Sequence, residues 1–387
     1  MKNVKLMNKI AKVGTDKLDP SVYNVGADVT GEDAIMVRSA ALHDLEFDKN
    51  LKAIARCGAG VNNIPIDRCS ENGIVVFNTP GANANGVKEL ALCALLLAAR
   101  DVTGGIEWAL TLKDDPNAAK AVEAGKSAFA GNELLGKTLG VIGLGAIGGL
   151  VANAAASLGM NVIGCDPYIT VEGAWSLSSA VKKAASYEDV YKVADYVTIH
   201  VPSTPTTKNM INAEAISMMK DGVKIINLSR ADLVNAADVK AALESGKVKR
   251  YVTDFPTPET IGVKGIVNIP HLGASTEESE DNCAVMAALQ LDTFLKTGNI
   301  KNSVNYPNVS LPYGGHSRIC VFHKNIPNMI SSVTSAVSSF NINIENAANA
   351  SKGDNAYTLM EVFGDIPAEL KEKIGSIDGV SRVNIIK

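Results

Sequence analysis

Three polar residues close later segments of this chain in positions that suit acid–base work on a hydroxyl or carbonyl. Arg230 ends the run VKIINLSR, Asp254 ends KRYVTDF with Glu259 just beyond, and His271 ends GIVNIPH. A guanidinium can hold a carboxylate, or polarise a carbonyl, through two parallel hydrogen bonds. An imidazole titrates near neutral pH and can take or return a proton. A carboxylate such as Glu259 can bond the second ring nitrogen, fixing its tautomer and raising its basicity, as the orienting acid of a hydrolytic triad does. Together they suit exchange of a hydride at the carbon of a 2-hydroxy acid. Alone, each has a plainer reading: a strand-end arginine is commonly a surface ion-pair partner, and a histidine after Pro270 a turn residue.

The hydride acceptor has its own signature. Gly143-Leu144-Gly145-Ala146-Ile147-Gly148 follows the apolar strand Leu139–Ile142 and opens an Ala-rich helix. Gly143 allows a tight turn, Gly145 lets a pyrophosphate approach the backbone, and Gly148 lets helix and strand pack closely. The phosphates then meet free N–H groups at the positive end of the helix. Asp166, at the end of the next strand, can accept from both hydroxyls of an adenosine ribose and repels a 2′-phosphate. NAD is therefore favoured over NADP. A glycine turn serving packing alone would not need Asp166. His200, in Thr198-Ile199-His200-Val201-Pro202, is expected to line the cofactor crevice.

These residues need a scaffold that gathers strand ends. Segments 33–39, 51–58 and 74–80, then TLGVIGLG, NVIGCDP, DYVTIHVP, VKIINLSR, KRYVTDFP and GIVNIP, are Val/Ile-rich runs alternating with helical stretches such as 86–100, 146–158, 235–245 and 276–297. That pattern predicts α/β architecture with parallel sheets covered on both faces, and ligands outside the carboxyl ends of the strands. The helix 86–100 is apolar almost all round, so it must be buried, partly against another subunit. After NVSLPYGG, the strands RICVFHK, NINIENAANA, AYTLMEVF and VSRVNIIK alternate with helices at 327–339 and 367–376 in the order βαββαβ.

Composition excludes other classes. A 387-residue chain with 46% hydrophobic and 20% charged residues suits two or three globular domains. Net charge is −4, so no nucleic-acid partner is expected. No apolar run is long enough for a membrane span, and the lysine-interleaved N-terminus is no signal peptide. Six scattered cysteines without a C-x-x-C pair indicate buried, reduced thiols in a cytoplasmic protein and no metal site. Arg38 and Arg56 end two strands of the first domain and suit a second anionic group on the substrate, such as a phosphate; the plainer reading of each is a surface salt-bridge partner. The glycine-rich loops Cys57–Asn63 and Thr79–Asn83 bring backbone N–H groups of Gly58, Ala59 and Gly60, and the side chain of Asn83, towards it.

Over residues 30–300 the chain resembles the D-2-hydroxyacid dehydrogenase family, through VRSA (37–40), GAGVNNI (58–64), NTPGAN (78–83), GLGAIG (143–148), IHVPSTPTTKNMI (199–211), INLSRADLVN (226–235) and PHLGAST (270–276). The resemblance implies that Arg230, Glu259 and His271 are catalytic and that Asp254 contacts the nicotinamide amide. It also places Pro202, Thr207, Ser229 and Gly273 in the NAD site. Ala231 stands where the family usually has Gly, and fewer residues than usual separate Glu259 from His271. The implied fold is a flavodoxin-like substrate domain (1–97 with 277–305) and a Rossmann NAD domain (98–276). A linker (306–316) would lead to a ferredoxin-like domain (317–387). The implied substrate pair is 3-phosphoglycerate and 3-phosphohydroxypyruvate. Glyoxylate, hydroxypyruvate or D-lactate is the alternative, and an NAD(H)-sensing corepressor a more distant one.

The last seventy residues resemble the ACT domain, a ligand-binding module that often pairs across subunits. His323, Asn325 and Asn343 match positions that bind serine in feedback-inhibited members of the family, with Asn328 where Gly is usual. The resemblance implies a serine effector and a homodimer or homotetramer.

Overall fold

In the computed structural model, which describes residues 1–387, the N-terminal runs form five parallel strands, β1 (Lys2–Leu6), β2 (Tyr23–Gly26), β3 (Ala34–Val37), β4 (Ala53–Arg56) and β5 (Val75–Phe77). Their order, β2-β1-β3-β4-β5, is the doubly wound order of flavodoxin-like sheets. All four residues of β3, Ala-Ile-Met-Val, are buried, as a strand covered on both faces requires. Ile35, Val37, Ile54 and Val76 face one layer. Met36, Ala55 and Phe77 face the other, against Ala284, Ala287 and Leu291 of the helix Glu277–Thr297. The sequence pattern marks β3, β4 and β5 but not β1 and β2, whose KNVKL and YNVG interleave polar residues.

A seven-stranded parallel sheet follows: β6 (Thr138–Ile142), β7 (Asn161–Cys165), β8 (Val181–Lys183), β9 (Tyr196–Ile199), β10 (Val223–Asn227), β11 (Val248–Thr253) and β12 (Ile266–Asn268). The order β12-β11-β10-β9-β6-β7-β8 reverses direction between β6 and β9, the switch point of a Rossmann sheet. Only β8, the short and polar VKK, is unmarked in the sequence. The helix Ala84–Ala99 sets Ala91, Ala94, Leu95 and Ala98 against Val151, Ala152 and Ala155 of Ala146–Ser157. It therefore belongs to the unit of residues 83–279, and the division falls at 82/83 rather than the expected 97/98. Helices Val102–Thr111 and Ala118–Gly125 bury no residue and leave Val102, Ile106, Leu110 and Val122 exposed.

The C-terminal strands β13 (Ser317–Lys324), β14 (Ile344–Lys352), β15 (Asn355–Val362) and β16 (Val380–Ile386) form an antiparallel sheet ordered β14-β15-β13-β16, with the expected βαββαβ sequence. One face, with Ile319, Val321, Met360 and Val383, lies under helices Met329–Ser338 and Ala368–Gly375. The other departs from the expectation of a tethered module. Cys320, Phe322, Tyr357 and Leu359 enter the same core as Val4, Met36 and Phe77, and Phe322 meets Tyr306 at 5.0 Å and Phe294 at 6.3 Å between ring centres. These residues group with 1–82 and 280–316 as one unit. The expected linker is itself built in, because Tyr306 is buried and donates to the Ser70 carbonyl at 2.9 Å. Arg318, fully buried, pairs with Glu361 at 2.7 Å and donates to the Thr297 and Leu311 carbonyls. Five cysteines are buried as expected; Cys93 is exposed on the helix Ala84–Ala99. No helix is long and apolar enough to cross a membrane.

Candidate active site

The fingerprint turn links β6 to the helix Ala146–Ser157. Gly143 has φ +88°, and a Cβ on Gly148 would stand 1.9 Å from the Gly143 carbonyl oxygen, so neither position tolerates a side chain. A Cβ on Gly145, in contrast, meets nothing within 4 Å. Gly145 is the N-cap of the helix, so the free backbone N–H groups of its first turn follow directly on that open space. Asp166 is preset beside it, accepting from Leu144 N–H and Tyr168 N–H at 2.8 Å each. Both oxygens keep a lone pair for ribose hydroxyls. A cavity of about 310 Å³ opens here, lined by Leu144, Gly145, Asp166, Tyr168 and Ile169 among others. These residues fit a dinucleotide.

Neighbouring strand ends carry the remaining polar groups. His200 accepts or donates at Nε2 to Thr198 Oγ1 at 2.9 Å, while Nδ1 is buried with no partner. Burial lowers its pKa to about 4, so the ring is neutral in ordinary buffers. Thr207 Oγ1 donates to the Pro202 carbonyl at 2.7 Å, closing the turn after His200. Ser229 Oγ donates to the Ile199 carbonyl at 2.7 Å, tying the end of β10 to β9. Behind it the buried Asn227, unremarked in the sequence, accepts from Ser229 N–H and donates to the Arg230 carbonyl at 2.8 Å. The Arg230 side chain is exposed.

Asp254 is 1% exposed, and neither carboxylate oxygen has a hydrogen-bond partner. Its own N–H and that of Gly273 lie close enough to lower its pKa, although neither meets hydrogen-bond geometry. Burial raises its pKa, opposed by the positive charges of His271 and Arg230. One buried carboxylate thus senses both residues singled out for chemistry. His271 lies on the exposed turn after β12, its ring 4.6 Å from that of Phe255, a neighbour the sequence did not single out. Glu259 departs from expectation. It is exposed on the turn after β11, held below the ordinary carboxyl pKa by the Thr257 hydroxyl and its own N–H, and His271 is not among the charges acting on it. Glu259 thus faces solvent here, and the nearest acid whose charge is coupled to His271 is Asp254.

In the other unit, Arg38 and Arg56 part ways. Arg38 pairs with Glu280 at 2.5 Å, a partner that no local motif announced. Arg56 is half-buried with no carboxylate near; burial lowers its pKa, and its Nε has no hydrogen-bond partner. Its guanidinium lies over Gly58, in the loop that also carries Ala59 and Gly60. Asn83 opens the helix Ala84–Ala99 in the unit of residues 83–279 and makes no side-chain cap bond.

The candidate effector residues are not gathered within one chain. His323 is buried, with ring nitrogens bonded to the Lys324 carbonyl at 2.8 Å and Thr358 Oγ1 at 2.9 Å. Through β15, the register sets Lys324 level with Lys352 and Ser317 level with Ile344. Asn325 and Asn343 therefore lie at opposite ends of the sheet.

Residues 109–274 match the family model described as "D-isomer specific 2-hydroxyacid dehydrogenase, NAD binding domain". The D-3-phosphoglycerate dehydrogenase of Methanocaldococcus jannaschii is 36% identical over 289 residues, covering 72% of this chain and 52% of its own. That of Haemophilus influenzae is 30% identical over 357 residues, covering 88% and 83%. The hydroxypyruvate reductase of Thermotoga maritima is 37% identical over 260 residues, covering 64% and 80%. The chain spans about half the length of the first curated relatives it matches. Among solved structures, NAD+-bound 3-phosphoglycerate dehydrogenase of Entamoeba histolytica has a TM-score of 0.60 at 25% identity, covering 79% of this chain and 98% of its own. The D-mandelate dehydrogenase of Rhodotorula graminis has a TM-score of 0.67 at 23% identity, covering 80% and 99%, a likeness of fold alone.

Proposed function

This chain belongs to the D-isomer specific 2-hydroxyacid dehydrogenase family, and on that premise we propose that it moves hydride between NAD(H) and the pair 3-phosphoglycerate/3-phosphohydroxypyruvate, at the head of the phosphorylated route to serine in the cytoplasm. One observation supports the reading: the carboxylate of Asp254 is buried with neither oxygen hydrogen-bonded, the charges of His271 and Arg230 oppose the rise that burial gives its pKa, and all three residues belong to the unit that holds the dinucleotide fingerprint.

The turn Gly143–Gly148 and Asp166 would hold the cofactor, with the unpartnered oxygens of Asp254 available to its carboxamide. Bound there, NAD supplies the carbon that accepts or returns hydride. Arg230 holds the substrate carboxylate and polarises the oxygen on C2. His271 takes the C2 hydroxyl proton at a ring nitrogen during oxidation and gives it back during reduction. The negative charge of Asp254 favours the imidazolium so formed, and Phe255 packs against the ring. Arg56, the cation without a carboxylate, meets the substrate phosphate.

Purified protein should oxidise NADH with 3-phosphohydroxypyruvate, and Arg230→Gln or His271→Gln should cut kcat by about 10²–10⁴. Both variants retaining native turnover would sink the assignment. The Arg38–Glu280 pair favours a second reading, in which Arg38 is neutralised and unphosphorylated hydroxypyruvate is the substrate. A kcat/KM higher for hydroxypyruvate than for its phosphate would establish it.

We read the C-terminal βαββαβ unit as an ACT-like effector domain for serine. Because Asn325 and Asn343 lie at opposite ends of one sheet, a serine site built on them requires a second copy of the chain. The exposed apolar residues Val102, Ile106, Leu110 and Val122 support a homo-oligomer. Millimolar serine should slow the native enzyme and not Asn343→Ala, and sedimentation should give a dimer or tetramer; a serine-insensitive monomer would remove this part.

A further inference from the structure

The parallel strands of the seven-stranded sheet begin on the edge opposite the fingerprint, Arg230 and His271. Between that edge and the end of the helix Ala84–Ala99 lies a cavity of about 340 Å³, walled by Arg100, Asp101, Asn132, Lys224, Lys249 and Arg250 among others. Lys224 is the second residue of β10, so roughly 15 Å of strand, at 3.3 Å per residue, separates it from the turn that presents Arg230.

The cations here are fixed in place. Lys224 Nζ is half-buried, donates to Asn132 Oδ1 at 2.9 Å and stands 4.7 Å from the centre of the Tyr196 ring. Asn132 Nδ2 donates to the Tyr196 hydroxyl at 2.7 Å, which locks the amide. Arg250 donates to Asp101 Oδ1 at 2.7 Å. Arg100 and Lys249 are exposed at the rim.

Carboxylates do not balance this charge. Asp101 is engaged by Arg250 and by the Gly104 N–H. Asp195, the acid that acts on Lys224, is engaged by Lys220 at 3.0 Å and the Thr138 N–H at 2.8 Å. Lys137 and Lys249 crowd Lys224, and Lys264 lies near Asp101. A chain of net charge −4 thus sets four cations and one carboxylate around one hollow, an excess of positive charge that favours an anion there. Capping of the helix end does not explain it. Only Arg250 reaches one of that helix's last carbonyls, Leu97, whereas Lys224 is turned to Asn132 and Tyr196.

The geometry points to a second ligand site in this cavity, for a small multivalent anion carrying a phosphate or several carboxylates. Lys224 and Arg250 are its anchored donors, and Arg100 and Lys249 close its mouth. The volume falls in the small-molecule range, and charge-assisted bonds to an anion are the strong class. The site stands apart from the proposed reaction and does not depend on it.

Calorimetric titration tests it in the full chain, saturated with NAD+ and carrying Arg56→Ala so that the proposed phosphate contact of the reaction is removed. Inorganic phosphate and citrate are separate titrants, at constant ionic strength set with potassium chloride. The expectation is saturable binding of at least one titrant, about one per chain, weakened about tenfold or more by the rim double variant Arg100→Met with Lys249→Met and by Lys224→Met. The rim variant touches only exposed side chains and should fold as the parent does. Whichever titrant binds identifies the phosphate or polycarboxylate class. No saturable binding by either, or binding that the rim variant leaves unchanged, overturns the proposal, and neither result bears on NADH oxidation.

Discussion

Arg56 lays its guanidinium across Gly58 so closely that a Cβ on the glycine would fall 1.4 Å from Nη1. The glycine also has φ +144°, which side-chain-bearing residues rarely adopt. Gly58→Ala must therefore displace Arg56. It should raise KM for 3-phosphohydroxypyruvate as Arg56→Ala does, about tenfold or more, with a smaller effect on hydroxypyruvate. Equal losses on the two substrates would refute a phosphate role for Arg56.

Asp254 predicts a trade between stability and function. Its pKa lies above the ordinary 3.8, mainly through burial, so the folded protein holds this proton more readily than the unfolded chain. Cofactor-free stability should then decline as pH rises from 3.8 through the raised value. Asp254→Asn should remove that decline and gain about 1 kcal/mol at neutral pH, while weakening turnover. Denaturant melts from pH 4 to 8 would show it. A less stable Asn variant contradicts the account.

His200 acts in the opposite sense. With its pKa lowered from 6.5 to about 4 by burial, the unfolded chain takes the proton first, and stability is lost as pH falls through that window. The residue keeps some exposure, which tempers the effect to roughly 2 kcal/mol. His200→Gln should flatten this acid limb; a limb of unchanged slope would assign the loss elsewhere.

Two carboxylates can be separated by pH profiles. Asp254→Asn removes the negative charge that acts on His271, so the apparent acidic pKa of kcat/KM should fall. Glu259→Gln should leave it in place, because Glu259 is held by Thr257 and its own N–H. A profile moved by Glu259→Gln would mean that the turn after β11 closes on His271 during turnover.

The buried pair Arg318–Glu361 predicts a large stability effect. Arg318→Met strands a carboxylate that is 3% exposed and should cost about 3–5 kcal/mol. Burial would raise the Glu361 pKa, yet the bonds from Arg318 outweigh it and hold the group below its ordinary value. The pair's contribution is thus present at neutral pH and lost on acidification. A loss below about 1 kcal/mol would show that the site relaxes or hydrates.

Periodicity and punctuation made much of this legible. Gly143, Gly148 and Asp166 were readable because each answers a local demand: a positive φ, a close approach, a strand end. The C-terminal βαββαβ order was readable for a similar reason, since three of its four strands carry apolar runs and two short helices punctuate them. β1, β2 and β8 were not, being three to five residues long with polar residues interleaved. The pairing of Arg38 with Glu280 spans 242 positions and leaves no local trace. The exposure of Glu259 was not legible, because spacing fixes where a residue sits along a turn, not the way the turn faces. The serine positions matched singly, whereas a pocket depends on register, which only the paired strands reveal.

Phe322, Tyr357 and Leu359 seal the same hydrophobic interior as Met36 and Phe77. Cutting the chain ahead of Ser317 would therefore strip the lid from that interior and yield an insoluble stump rather than a desensitised enzyme. The C-terminal segment cannot be traded between relatives as a cassette without redesigning the helix Glu277–Thr297 beneath it. Whatever the segment does, it does as a wall of the unit that also holds residues 1–82 and 280–316.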